Sequence, residues 1–169
     1  PPRSTPLYSS AASDVYKRQD SILEPSIALR KDITVQIRKH KPDILICMYP
    51  TRKLTGNGYI GHPDHIASGE AAMAAVFPTA RDRLTFPDLL EQGLEPHKVK
   101  ELWVMGSELA EEYVDVTETI EIAIQALQKH ASQIQNMEDV ANHMREWRTK
   151  NGESVNMRYA EKFHAFDLS

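Results

Sequence analysis

DILICMYPTRKLTGNGYIGHPDHIASGEAAMAA, residues 43–75, runs through three kinds of element without a break. Ile44 to Tyr49 is apolar throughout and reads as a short strand with both faces covered, the pattern of a central strand in a parallel sheet. The loop that follows is rich in Gly, Asn, Thr and Pro, which favour turns. A helix is predicted from about Pro63 to Ala80, with Ile66, Met73 and Phe77 on its buried side. A strand, a polar loop and a helix in that order make one half of a β-α-β unit.

The flanking sequence repeats the alternation. SIALRKDITVQIRKH, Ser26 to His40, places Ile27, Leu29, Ile33 and Ile37 at roughly helical spacing, with Lys and Arg towards its end, as the helix dipole favours. Pro42 stops it. Downstream, a short helix is predicted between Phe86 and Gly93 and a strand at Val99–Met105. DVTETIEIAIQALQKHASQ is the clearest helix: Asp115 with Thr117 or Glu118 supplies the cap, and Ile120, Ala123, Ile124 and Leu127 form the stripe. Another helix, Met137 to Arg148, sets Met137, Val140, Ala141, Met144 and Trp147 on one side, and RYAEKFHAF closes the chain as a short strand or turn. The expected class is α/β, a parallel sheet with flanking helices. The strands are too few for such a sheet, so strands from the front of the domain are expected to be missing.

The 169 residues suffice for one domain with a core, and 26% charged against 41% hydrophobic residues indicate a globular, soluble chain. No apolar run approaches the length needed to span a membrane. The net charge of −4, without a basic cluster, argues against nucleic acid and anionic membranes as partners. Cys47 is the single cysteine, which rules out an internal disulfide and fits a reducing, cytoplasmic setting; a small buried hydrophobe is its simplest role.

Residues 1–19 stand apart. They show no apolar period and no signal-peptide core, and SSAASDVYKRQ, Ser9 to Gln19, reads as the translation of a common sequencing adapter. The expectation is a non-native, disordered tail over 1–19, with the gene's own sequence starting near Asp20, in mid-gene.

The chemistry gathers at HPDH. Pro63 suits the first helical position, which makes His62 the cap and puts His65 in the first turn, three residues on and on the same face. Both imidazoles can then point beyond the carboxyl end of the preceding strand, where open α/β sheets bind ligands. Asp64 is favoured there by the dipole and can fix a histidine tautomer. Neutral imidazole is a good zinc ligand, but zinc takes at least three protein groups, so this pair is incomplete. A capped helix start, or an anion held by the free N–H groups of the helix entrance, is the plainer reading of the same residues.

GHPDHIASGEAAMAA, with ALRKDITVQIRKHKPDILI before it and EPHKVKELWVM, DVTETIEIAIQALQKHASQ and YAEKFHAF after it, resembles the LmbE-like/PIG-L family of zinc-dependent N-deacetylases. The likeness covers essentially all of residues 20–169, which would be the C-terminal portion of a single such domain. It implies a Rossmann-like sheet and hydrolysis of an acetamide on an N-acetylglucosamine-type amino sugar or a conjugate of one. By the same resemblance His65 is a zinc ligand, His62 stabilises the oxyanion or protonates the leaving amine, and Asp64 orients His62. The family's other two ligands and its general base come from an HPDD-type motif. HPD occurs here once, at His62–Asp64, so the missing groups are expected upstream of Asp20, and the 169 residues alone are expected to be inactive. Some members carry a tyrosine where Ile60 stands here, and no role is carried onto the neighbouring Tyr59. Arg52 and Asn57 could reach a sugar hydroxyl but fit turn roles better. His130, Ser132 and Gln133 suit a helix end, and His40, His97, His143 and His164 suit solvated or structural places.

Overall fold

Ser26 opens the first helix: extended at ψ 160, it accepts from the Leu29 amide through its hydroxyl and starts α1, Ile27–His40. Lys41 ends it in the left-handed region at φ 49, its amide on Ile37 O, and Pro42 follows. The computed structural model describes residues 19–52, 60–132, 134 and 136–169. The adapter-like stretch to residue 18, together with Asn57, Tyr59 and Gln133, lies outside the described residues.

After α1 come β1 (Ile44–Met48), α2 (Pro63–Ala74), the four-residue α3 (Asp88–Glu91), β2 (Glu101–Met105) and β3 (Glu112–Asp115). They are followed by α4 (Ile120–Gln128), α5 (Met137–Gly152) and β4 (Ala160–Asp167). The four strands hydrogen-bond in the order β1-β2-β4-β3. β3 runs antiparallel to β4, with Glu112 opposite Phe163 and Asp115 opposite Ala160. The fold is thus mixed α/β with helices beside a four-stranded sheet, and this pair departs from the all-parallel expectation. β3 is not signalled by the sequence because EYVD is short and half charged, and it ends on Asp115, the residue expected to cap a helix.

The chain divides into two compact units, residues to Trp103 with Phe166–Ser169, and Val104–Ala165. In the first, α1 packs on α2 and on the turn after it, and α2 packs on β1. Small residues make this contact close. Ala67, Gly69, Ala71 and Ala72 are the buried face of α2, and a Cβ built on Gly69 would land on the Met48 carbonyl. The expected large-residue face is therefore corrected. Phe77 is 60% exposed, while Ile66 and Met73 are only half-buried. The α-helix also stops at Ala74 rather than Ala80: a π turn, Ala75–Thr79, contains Pro78, and Phe77 leaves helical geometry at φ −138, ψ 122.

β1 differs from expectation too. Cys47 is buried, but Ile44 and Ile46, on the alternate face, are 44% and 54% exposed, and β1 is the sheet's edge among the described residues. Arg38 departs from the simple dipole reading of α1. It is 1% exposed, and its guanidinium donates to five main-chain carbonyls, those of Thr79, Ala80, Asp82, Thr85 and Leu94. One side chain thereby shapes the whole return from α2 to β2.

In the second unit Ile120 and Ile124 of α4 pack on Ala141 of α5, with Met144 and Tyr159 against them. Two expectations change here. Thr119 takes the cap position of α4 without a side-chain capping bond, its hydroxyl donating to the Val116 carbonyl, while Asp115 ends β3 and accepts from the Thr117 amide. α5 runs on to Gly152, and Trp147 faces solvent at 52% exposure, because the helix stripe that packs is only Ala141 and Met144 wide. No helix among the described residues is long and apolar enough to cross a membrane.

Candidate functional site

The contact of Gly69 with Met48 fixes where α2 begins, just past the carboxyl end of β1. Gly61, at φ +86, turns the chain into the helix, and Arg52 ties that turn by donating to the Gly61 carbonyl at 3.1 Å. Arg52 thus has the turn role the sequence favours. His62 is the cap, extended at φ −71 and ψ 133, with Pro63 at the first helical position. Its ring Nδ1 accepts from the Asp64 amide at 3.3 Å. Its carbonyl accepts from His65 and Ile66 at 3.1 and 3.3 Å. The amides of this helix start are therefore bonded within the chain, which removes the footing of a simple anion site there.

His62 and His65 come together as their spacing predicts, with ring centroids 5.4 Å apart and planes tilted by 44°. His65 is exposed; the side chain of His62 is 35% exposed and that of Asp64 18%. The predicted contact between Asp64 and His62 is not a hydrogen bond. Asp64 Oδ2 lies 4.0 Å from Nδ1, and both atoms are already acceptors. The carboxylate instead accepts from the main chain of the segment before α1, from Ser21 N at 2.7 Å and Leu23 N at 3.1 Å.

That segment forms the opposite wall. Asp20 Oδ1 stands 3.9 Å from His62 Nε2, and Ser21 Oγ 3.5 Å from the same atom. Nothing local to Asp20 and Ser21 marks them as part of this site, since they lie about forty residues from HPDH and belong to no motif. Their only local mark is an acidic residue just ahead of a capped helix.

Asp20, His62 and Asp64 bring donor atoms within 4.8 Å of one another, a spacing at which they could hold a metal ion. The hydrogen bonds qualify that fit. A neutral imidazole carries one proton, and Nδ1 accepts from an amide, so the proton sits on Nε2, the atom facing Asp20 and Ser21. A protonated nitrogen does not bind a metal. As built, His62 is a proton donor, Asp64 is engaged at both oxygens, and the described residues do not by themselves close a zinc site. His65, on the same face, is the imidazole left for a ligand role.

The remaining histidines are structural or solvated. His97 Nε2 lies 2.8 Å from the Pro42 carbonyl and His164 Nδ1 2.7 Å from that of Leu109. His40 bonds Gln36, His143 is exposed, and the His130 amide closes the last turn of α4 on Leu127 O. Burial pushes the Cys47 thiol up to about 11, so it stays a neutral core group.

No family model matches the chain. It is 29% identical over 114 residues to the diacetylchitobiose deacetylase of Thermococcus kodakarensis, a match over 68% of this chain and 40% of that protein. Its fold superposes on the N,N'-diacetylchitobiose deacetylase of Pyrococcus horikoshii, solved with its inhibitor, with a TM-score of 0.78 and 25% identity over 89% of this chain. It is similar in fold to a conserved protein of Thermus thermophilus, with a TM-score of 0.66, 20% identity, and coverage of 90% of this chain and 68% of that one. The chain spans 40% of the length of the Thermococcus relative and 55% of that of the Pyrococcus one.

Proposed function

We propose that the protein to which this chain belongs is a metal-dependent N-deacetylase that removes acetyl from an N-acetylglucosamine-type amino sugar or a conjugate of one. The observation that carries the reading is the pair His62 and His65, side by side in the first turn of a helix that begins beyond a strand's carboxyl end. Similarity in sequence and fold to two diacetylchitobiose deacetylases supports it and suggests the substrate class.

In this reading His65 is one metal ligand, and two more protein ligands and the general base come from residues upstream of Asp20. The face of β1 left open at Ile44 and Ile46, and the place of β1 at the sheet's edge among the described residues, support a domain with further elements packed there. Zinc, when held, would polarise the acetamide carbonyl and lower the pKa of its water.

His62 carries the proton chemistry that this chain supplies. Its Nε2–H points at the wall formed by Asp20 and Ser21, where a donor can meet the developing oxyanion or deliver a proton to the leaving amine. The 169 residues alone, with one ligand of the set, are expected to turn nothing over. We place the protein in the reducing cytoplasm, in keeping with its single buried thiol.

The test begins with the reading frame upstream of Asp20. A short apolar strand followed by a His- and Asp-bearing motif, and acetate release from N,N'-diacetylchitobiose or N-acetylglucosamine by the extended protein, is the expected result. A continuous upstream frame without such a motif, or an extended protein that neither holds zinc stoichiometrically nor releases acetate, sinks the reading.

A further inference from the structure

Asp64 spends both carboxylate oxygens on two amides that lie 43 and 41 residues away in sequence, those of Ser21 and Leu23. Such bonds to an ionised acceptor are roughly twice as strong as neutral ones, and two converging on one carboxylate fix both the position and the direction of the chain that donates them. The chain so held is unusual. Ser21 adopts φ 70, a left-handed conformation that a residue with a Cβ seldom takes unaided. It is also the residue whose hydroxyl reaches both Asp20 Oδ2, at 3.3 Å, and His62 Nε2, at 3.5 Å.

Direct orientation of His62 by the Asp64 side chain does not explain this geometry, because Nδ1 is satisfied by the Asp64 main chain and not by its carboxylate. We propose that Asp64 is a positioning residue that acts through residues 20–23. Its carboxylate clamps the main chain in the left-handed turn at Ser21, which sets Asp20 and Ser21 against His62 Nε2. The turn, and not a bond to the imidazole, is how this acid reaches the reacting histidine. The clamp stands on its own geometry; only its catalytic consequence rests on the deacetylase reading.

The experiment is amide hydrogen exchange on the isotopically labelled chain, with the ring nitrogen and Hε1 signals of His62 as a second readout. Ser21 and Leu23 amides are expected to be protected, and Asp64→Ala to speed both by about tenfold or more, the loss of a charge-assisted bond, while α1 amides keep their protection. The His62 ring signals are expected to move with the loss of that protection, fully in Asp64→Ala and by less in Asp64→Asn. Asp64→Asn keeps one carbonyl acceptor and is expected to leave one of the two amides protected. That variant carries the test should Asp64→Ala fail to fold. Unprotected Ser21 and Leu23 amides in the wild type overturn the proposal. So do His62 ring signals that shift in Asp64→Ala while the Ser21 and Leu23 amides keep their protection, since Asp64 would then act on the imidazole without the turn. An extended protein that releases no acetate would refute the proposed activity and leave the exchange results standing.

Discussion

Two polar constellations sit within the first unit, and they are built on opposite terms. Around Arg38 one guanidinium is withdrawn from water and shared among five main-chain carbonyls, at distances from 2.7 to 3.3 Å. Burial pulls that group below its ordinary pKa, Asp82 and Glu95 pull it back, and it stays charged. At the start of α2 the groups are half-exposed. Two imidazoles and two carboxylates face one another at 3.9 to 5.4 Å, with Nε2–H of His62 turned to the wall and His65 open to solvent. A buried charge whose three nitrogens all donate to the main chain holds a fold and is closed off from a ligand. Here only the Asp64 carboxylate is held by short main-chain bonds, and the longer contacts of the imidazoles and Asp20 leave them open for chemistry.

The sharpest way to break this contrast is Arg38→Met. It strands several carbonyls at about 1–3 kcal/mol for each that water cannot reach, so a loss of about 3–5 kcal/mol in urea denaturation is expected. Arg38→Lys should recover part of it, since an ammonium cannot fork to carbonyls on several sides. Unchanged stability in Arg38→Met would show that the loop closes without its staple, and the contrast would fail.

The opposite test is His62→Asn in the extended protein. Asparagine is a good helix cap, so stability should stay within about 1 kcal/mol of wild type. It has no proton to give at the place of Nε2. The turnover number for acetate release should therefore fall about 10²–10³-fold with KM little changed. A loss of stability without a loss of turnover would make His62 a cap and no more.

Gly69→Ala tests what the two constellations share, the close approach of α2 to β1. The new methyl meets the Met48 carbonyl, and the helix must move, at a cost of about 1–3 kcal/mol. Because His62 and His65 ride on that helix, their ring signals in NMR should shift as well. A destabilised variant with unmoved histidine signals would separate the packing from the site.

How much of this was written in the sequence follows from the range of each interaction. Helix α1 was legible to within a residue, because the apolar spacing and Pro42 are local signals. HPDH was legible as a capped start with two imidazoles on one face, for the same reason. Arg38 was not: at the end of α1 it looks like any dipole-favoured base, and its partners lie more than forty residues on. Asp20 and Ser21 were hidden in the same way, and the partners of the Asp64 carboxylate were not foreseen because they belong to a distant turn. Short β3 gave way to a stronger helix signal beside it, and Phe77 was drawn into α2 by a period that Pro78 interrupts.

The smallest expected effect lies beneath the staple. Asp82 accepts through its carboxylate from the Leu84 and Thr85 amides and the Thr85 hydroxyl, while its main-chain carbonyl takes Arg38. The Thr85 hydroxyl first, then the Leu84 amide, hold the carboxyl below its usual value. A carboxylate with a lowered folded pKa stabilises the fold above its unfolded value, about 3.9, and loses that contribution as pH falls through the lower folded one. The gap in urea midpoint between wild type and Asp82→Asn should therefore be constant from pH 7 down to about 5 and shrink as the solution passes below about 4. Salt should matter little, because the bonds are short and local. A gap that persists unchanged at acid pH would mean that the loop needs the shape of this side chain and not its charge, and the staple alone would then account for the order of the turn.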